Sequence, residues 1–285
     1  MKLVRLGAPG AERPGVVVGD GRYVDVGDLV ADLDESTLAD DLSRLAPVVA
    51  ERVAAGLDRP VGDQRVGPPI ARPHQILCVG LNYRDHAEEI GADIPDLPIV
   101  FTKAPNSLSG PYDDVRAPRG FTQLDWEVEL GVVVGRRASY LASPAEARDH
   151  VAGFVVCNDM SERAFQNDHG GQLLKGKSAE TFNPCGPWLV TPDEIEDVGG
   201  LGLWLDVSGE PRQRGTTATM VLDPYEILFH LSQYMVLEPG DLVNTGTPPG
   251  VAAGMAEPAW LQPGDVMTLG IDGLGEQRLR VVAPR

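Results

Sequence analysis

The stretch Asp125-Trp126-Glu127-Val128-Glu129-Leu130-Gly131-Val132-Val133-Val134 limits the choice of fold more than any other. It begins as an alternation and ends wholly apolar. Side chains alternate faces along a strand, so Glu127 and Glu129 share one face while Trp126, Val128 and Leu130 share the other. The apolar run that follows has no polar face, the pattern of a strand covered on both sides. A fold that accepts this segment buries a strand at its centre and carries two carboxylates towards one end of it. Two carboxylates on a buried face repel unless positive charge lies between them. A divalent cation is the simplest such charge, because hard cations take oxygen ligands. A solvated strand face explains the same alternation without one.

Most of the remaining chain reads as β. Strands are predicted at Ile76–Val79, Ile99–Thr102, Glu127–Val134, Val151–Val156, Trp188–Thr191, Leu201–Val207, Asp241–Thr245 and Val266–Ile271. Helices are predicted over Tyr83–Ile90, Pro144–His150 and Asp223–Tyr234. The 33 glycines and 24 prolines fall between these runs as punctuation. Glu238-Pro239-Gly240-Asp241 and Gln262-Pro263-Gly264-Asp265 place Pro and Gly as a type II turn needs them. Near the start, Val16-Val17-Val18, the turn Gly19-Asp20-Gly21 and Tyr23-Val24-Asp25-Val26 predict a hairpin. Ser36 and Thr37 then offer a cap to a helix carrying Leu38, Leu42, Leu45, Val48, Val49 and Val53 at helical spacing. A proline-rich stretch follows. The predicted division is a small N-terminal α+β domain at 1–58, a linker at 59–73 and the main domain at 74–285. Strands do not alternate strictly with helices, so the class is mixed α+β, mainly β, rather than a doubly wound sheet.

Charge excludes whole classes of partner. Lys and Arg number 24 against 42 Asp and Glu, a formal net charge of −18. That balance argues against binding nucleic-acid phosphates, which need a basic face, and against docking on anionic lipid. The 3 cysteines form no CxxC pair, so neither a disulfide framework nor a zinc ribbon is expected. The opening MKLVRLGAPG lacks the apolar centre of a secretory signal, and no apolar run reaches the roughly 18 residues of a membrane helix. A cytoplasmic protein is expected.

Four further segments have the residue types for chemistry. In Val155-Val156-Cys157-Asn158-Asp159 an apolar strand runs into an acid, so Asp159 is either a third carboxylate ligand or a turn and helix-cap residue. In Asn82-Tyr83-Arg84-Asp85-His86-Ala87-Glu88-Glu89 a short helix opens, with His86 and Glu89 at i and i+3. A carboxylate beside an imidazole selects its tautomer and raises its basicity, as a general base requires; a solvated helix face gives the same spacing. Gly171-Gln172-Leu173-Leu174-Lys175-Gly176-Lys177-Ser178 matches the phosphate-loop expression letter for letter. That loop needs a buried strand before it and a helix after it. Here Asn167-Asp168-His169-Gly170 precedes, and Pro184, Gly186 and Pro187 follow closely, so nucleotide binding is rejected and Lys177 is kept as a fixed positive charge. Val243-Asn244-Thr245-Gly246-Thr247-Pro248-Pro249-Gly250 is a strand entering a Gly/Pro loop, which either aims N–H groups at an anion or simply turns. Of the other histidines, His74, His150 and His230 read as structural, while His169 is a lesser candidate for substrate contact.

Taken in order, these segments resemble the fumarylacetoacetate hydrolase family in its single-chain bacterial branch. The match runs through Gly80-Leu81-Asn82-Tyr83 with His86, Phe101-Thr102-Lys103 with Gly110-Pro111, and Asp125 to Leu130. It continues through Asn158-Asp159 with Gln166, Lys175-Gly176-Lys177-Ser178 with Gly186-Pro187-Trp188, and Glu238-Pro239-Gly240-Asp241 with Thr245-Gly246-Thr247-Pro248. Thr102-Lys103-Ala104, Ser161 to Gln166 and Gly270 to Gln277 look most similar to hydrolases of 2,4-diketo-3-deoxy sugar acids of the L-rhamnonate and L-fuconate type. The resemblance implies a β-sandwich roll with a small N-terminal domain, assembled as a homodimer. It implies Mg²⁺ or Mn²⁺, or Ca²⁺, held by Glu127, Glu129 and Asp159. It makes His86 with Glu89 the base dyad, carried on a segment that orders over substrate, and makes Lys177 the group facing the developing oxyanion. Gln166, Tyr83, Gly246 and Thr247 become substrate contacts, Thr247 on the loop that meets the substrate carboxylate. The chain departs from the pattern at Leu173, where an aromatic residue is expected, and no role falls to Cys185.

The implied activity is hydrolysis of a 2,4-dioxo acid at C3–C4, giving pyruvate and a second carboxylic acid. Oxaloacetate decarboxylation and isomerisation or hydration of a 2-oxo acid would use the same site. A 2-oxo acid binding protein without catalysis is the non-enzyme alternative. The expected partner is a small-molecule 2-oxo acid, with no nucleic acid and no membrane.

Overall fold

The computed structural model describes residues 1–19 and 21–285; Asp20, of the turn expected from the sequence at Gly19-Asp20-Gly21, lies outside them. The first third of the chain runs β1 (Lys2–Leu6), β2 (Arg13–Gly19), β3 (Arg22–Asp25), α1 (Leu45–Ala54), β4 (Arg59–Pro60), β5 (Ile76–Gly80), α2 (Arg84–Glu89) and β6 (Ile99–Lys103). The middle adds β7 (Val115–Arg116), β8 (Val128–Val134), β9 (Val151–Asn158), α3 (Arg163–Asn167), α4 (Leu173–Lys177) and β10 (Leu189–Val190). The remainder holds β11 (Gly202–Val207), β12 (Glu210–Thr216), α5 (Pro224–Ser232), β13 (Leu242–Asn244), β14 (Val266–Ile271) and β15 (Gly275–Val282).

Ten strands form one sheet in the order β4-β3-β2-β1-β10-β9-β8-β13-β5-β6, and five form a second in the order β12-β11-β14-β15-β7. Neighbours are antiparallel except β13 beside β5 and β15 beside β7. Leu77, Val79, Leu130, Val132, Phe154 and Val156 face the second sheet and pack with its Leu203, Leu205, Leu269 and Leu279. The intervening Ile76, Cys78, Val133, Val155 and Cys157 face the other way and meet Val16, Val24, Leu45 and Val49 from the N-terminal segment. The large sheet is therefore covered on both faces, which is why its central strands read as unbroken apolar runs. This is the mixed, mainly β architecture expected from the sequence.

The segments 1–58, 59–73 and 74–285 share this sheet. Lys2 and Leu3 of β1 pair with Val190 and Leu189 of β10. Arg59 and Pro60 pair with Tyr23 and Arg22 of β3.

Other differences from expectation have local causes. The single helix expected after Ser36 is divided, because Asp34 caps one turn at Glu35–Leu38 and Asp41 caps another at Leu42–Arg44 before α1 begins. Each aspartate accepts a backbone N–H from ahead of it and so restarts the chain. Strand β12, Glu-Pro-Arg-Gln-Arg-Gly-Thr, has no apolar signature because it is an edge strand whose only buried residue is Gln213. The two Pro-Gly turns form as expected: Asp241 and Asp265 donate backbone N–H bonds to Glu238 and Gln262, each 3.0 Å long. Gly240 and Gly264 take the positive φ, +88° and +108°, that the third position requires. Among the described residues no helix is long and apolar enough to cross a membrane.

Candidate functional site

The site is assembled where β8 and β9 meet the end of the sheet. Glu129 lies opposite Cys157 in the antiparallel register. One step further along, the Asp159 N–H donates to the Glu127 carbonyl at 2.9 Å. Two-residue periodicity on both strands therefore brings Glu127, Glu129 and Asp159 to one face. One oxygen from each lies within 4.8 Å of the others, and all three residues are buried.

Buried carboxylates need partners. Lys177 Nζ donates to Glu127 Oε2 at 2.6 Å and to Asp159 Oδ2 at 2.8 Å. Arg163 donates from Nη2 to Glu127 Oε1 at 2.6 Å and from Nε to Asp125 Oδ2 at 2.8 Å. Lys103, 1% exposed, donates to the second oxygen of Asp159 and, at 2.7 Å, to the Phe182 carbonyl. Glu129 Oε2 accepts the Gly246 N–H at 2.8 Å. Gly246 has φ +97°, and a Cβ there would meet Asn82 Cβ at 3.0 Å and the Val79 carbonyl at 3.1 Å. Only glycine brings that N–H to Glu129 without strain.

The charges are unevenly matched. Burial pushes Glu127 up, but Lys177 and Arg163 outweigh it and bring its carboxyl down to about 2. Glu129 has no such pair; burial first, then Asp159 and Glu127, push it well above the usual carboxylate range. Burial works against the Lys177 charge, yet Asp159 and Glu127 more than reverse this and hold it above an ordinary lysine. Counting Asp125, four carboxylates face three cations, a net formal charge of −1, with the unmet demand at Glu129. A cluster of hard oxygen donors short of positive charge fits Mg²⁺, Mn²⁺ or Ca²⁺, and it lacks the Cys and His ligands of a structural zinc site.

The expected dyad forms on α2. His86 Nδ1 lies 2.9 Å from Glu89 Oε2, and Glu89 Oε1 accepts the Gly250 N–H at 2.9 Å. With Nδ1–H directed at Glu89, Nε2 carries the free lone pair. His86 and the three carboxylates line one cavity of about 290 Å³, together with Arg163, Gln166, Lys177, Gly246 and Thr247.

Two expected substrate contacts sit differently from the rest. Tyr83 is fully buried in the apolar core and is not among the cavity's lining residues. Thr247 lines the cavity, but its hydroxyl donates to the Val128 carbonyl at 2.9 Å and accepts from Gln213 Nε2 at 2.8 Å. His169 is exposed, stacks on Phe165 and does not line the cavity. The phosphate-loop match is preceded by α3 rather than a strand, and its Lys177 serves the carboxylates. Sequence reading assigned no site role to Asp125, Lys103 or Arg163. The one local signal was a lysine closing the apolar run of β6.

Comparison with known proteins places this geometry in a family. A family model described as the C-terminal part of fumarylacetoacetate hydrolase matches residues 75–282. A Burkholderia multivorans protein provisionally named a hydrolase is 46% identical over 279 residues, 97% of each chain. The solved fumarylacetoacetate hydrolase of Exiguobacterium antarcticum is 35% identical, with TM-score 0.85 over 99% of both chains. Maleylpyruvate hydrolase of Sphingobium sp. SYK-6, solved with manganese(II) and pyruvate, is 29% identical, with TM-score 0.82 over 100% of both. A 2-hydroxyhepta-2,4-diene-1,7-dioate isomerase of Mycobacterium marinum is 28% identical, with TM-score 0.77 over 99% of this chain and 98% of that one. With the family model spanning most of the chain and a close relative covering nearly all of it, this protein belongs to the fumarylacetoacetate hydrolase family.

Proposed function

We propose that this chain is a divalent-metal-dependent hydrolase acting at C3–C4 of a 2,4-dioxo acid. The substrate is an acylpyruvate or a 2,4-diketo-3-deoxy sugar acid, and the products are pyruvate and a second carboxylic acid. The observation that carries this reading is the shared cavity, in which an oriented histidine faces the same space as three buried carboxylates. Likeness to a hydrolase solved with manganese and pyruvate supports it. In this reading the protein works as a cytoplasmic homodimer.

Glu127, Glu129 and Asp159 would hold Mg²⁺ or Mn²⁺, which when bound supplies Lewis-acid stabilisation of negative charge on the 2-oxo acid. His86, neutral and oriented by Glu89, takes a proton from water at Nε2. The hydroxide adds to C4. Lys177 has three N–H donors and two are committed to Glu127 and Asp159, so the third remains for the oxyanion at C4. When the C3–C4 bond breaks, its electron pair passes to C3, and the proton held at His86 Nε2 is delivered there.

Likeness to an isomerase favours a second reading, in which the same cavity shifts a proton of a 2-oxo acid without adding water. Pyruvate release decides between them. An acylpyruvate, a 2,4-diketo-3-deoxy sugar acid and oxaloacetate are each supplied with Mg²⁺, Mn²⁺ or EDTA. Metal-dependent pyruvate from a dioxo acid, with little CO₂ from oxaloacetate, is the expected result. CO₂ from oxaloacetate alone would make the protein a decarboxylase. Metal uptake with no release from any compound would favour the isomerase reading, and absence of metal uptake would leave a binding protein.

A further inference from the structure

We propose that the cavity is shaped for a 2-oxo acid whose far end is short, uncharged and apolar, and that Leu173 helps to select it. This rests on the hydrolase reading above and narrows its substrate to an acylpyruvate with an alkyl tail.

Besides the charged groups the cavity is walled by Leu81, Ile90, Ile99, Phe101 and Leu173, the Phe101 ring centre lying 5.5 Å from Lys177 Nζ. Ile90 and Ile99 remain 44% and 40% exposed, apolar surface that a bound alkyl tail would cover. The cations that line the cavity already have their charges matched by carboxylates, and the remaining N–H of Lys177 is taken by the oxyanion at C4. Arg163 serves Asp125 and Glu127 and donates at 3.3 Å to Gln166 Oε1, and Lys177 serves Glu127 and Asp159. A second carboxylate on the tail would therefore enter without a counter-charge, which is costly away from water. Hydroxyl groups fare little better. The Thr247 hydroxyl has both a donor and an acceptor partner, and the Gln166 carbonyl is taken by Arg163. The Gln166 amide nitrogen offers two N–H donors and no acceptor, where a dihydroxylated tail needs partners of both kinds. Each hydroxyl buried without a partner weakens recognition by roughly 5- to 150-fold. The volume, about 290 Å³, is at the small end of ligand cavities, so the tail is short.

Three 2,4-dioxo acids differing only in the tail on C4 test this: n-propyl, 1,2-dihydroxypropyl and 2-carboxyethyl. With Mn²⁺, kcat/KM for the n-propyl compound is expected to exceed each of the others by about 10-fold or more. Equal values, or a preference for the hydroxylated or carboxylated tail, would overturn the inference while leaving the hydrolase reading intact. Binding of 2-oxo acids with the same tails but no 4-oxo group, measured calorimetrically on the Mn²⁺-loaded protein, keeps the question separate from the reaction. If no dioxo acid is cleaved, an n-propyl preference in binding still supports the shaped cavity and the failure belongs to the reaction; indifferent binding overturns the cavity inference. Leu173→Arg adds a cation at the wall. It should raise the carboxylated tail relative to n-propyl by about 10-fold or more. An unchanged ratio in the folded variant would remove Leu173 from the selecting wall.

Discussion

Glu127 and Glu129 stand two residues apart on one strand, and their surroundings set them to opposite tasks. Glu127 is neutralised by Lys177 and Arg163, whereas Glu129 faces the charges of Asp159 and Glu127. Replacing Glu127 with Gln leaves Lys177 with Asp159 alone and Arg163 with Asp125 alone, and Tm should fall, with a loss of stability below the roughly 3–5 kcal/mol of a buried ion left with no partner. Glu129→Gln instead removes a charge that the metal-free fold resists, so Tm should rise in EDTA while Mn²⁺ uptake is lost. Thermal melts with and without metal check both variants. The pH dependence follows the same division. Glu127, held at about 2, contributes stability that is present above the ordinary carboxylate range and lost as pH falls towards 2. Glu129, raised, opposes folding of the metal-free protein once pH climbs above the ordinary range towards its own raised value. For His86→Ala, kcat should fall by about 10²–10⁴-fold, the usual loss with a general base. Mn²⁺ affinity, read by calorimetry, should stay unchanged, since the imidazole contacts Glu89 and none of the three carboxylates. Near-full activity in this variant would remove His86 from the mechanism.

One loop links the two halves of the site. Gly246 donates to Glu129 and Gly250 to Glu89, while Thr247 ties the loop to the Val128 carbonyl on β8. The carboxylate cluster and the His86–Glu89 pair thus share a backbone support although they are built on β8 and β9 on one side and α2 on the other. Gly246→Ala places a methyl against Val79 and Asn82 at a φ that favours glycine. Metal affinity and turnover should fall together in this variant, with a lower Tm. Loss of turnover with unchanged Mn²⁺ binding would show that the loop does not couple them. Thr247→Val tests the anchor alone. It leaves the Val128 carbonyl without its hydroxyl donor, and a loss of about 1–3 kcal/mol is expected in chemical denaturation.

The large sheet has two cores, and the N-terminal segment supplies one of them. Without residues 1–58, β10 would lose its partner β1, and Ile76, Cys78, Val155 and Cys157 would lose the cover of Val16, Leu45 and Val49. A chain starting at 59 is therefore expected to aggregate or to unfold without a sharp transition, measurable by light scattering and a denaturation curve. A soluble, cooperatively folding fragment would instead establish 74–285 as an independent domain. The same packing seals Cys78, Cys157 and Cys185, which are all buried, with the Cys157 and Cys185 sulfurs 3.9 Å apart. Burial raises the thiols of Cys78 and Cys157 well above an ordinary cysteine. Ellman's reagent should react slowly with the native protein and titrate 3 thiols after unfolding.

What the sequence determined by itself was local and periodic. Alternation placed Glu127 and Glu129 on one face, a three-residue spacing paired His86 with Glu89, and Pro-Gly pairs located two turns. Each follows from backbone geometry within a few residues, so it survives without knowledge of the fold. The order of known segments carried the family as well. Where local signals were weak, the reading stopped: β12 is a polar edge strand, and two aspartate caps divide an otherwise regular helical pattern. The tertiary structure alone decided which charges meet. Lys177 reaches Glu127 across 50 residues, Lys103 reaches Asp159 across 56, and Arg163 reaches Glu127 across 36. It also turned Tyr83 into the core and committed the Thr247 hydroxyl to the Val128 carbonyl and the Gln213 amide. Such partners are chosen by the need to neutralise buried charge, and that burial exists only once β6, α3, α4 and the loop at Gly246 close over the end of the large sheet.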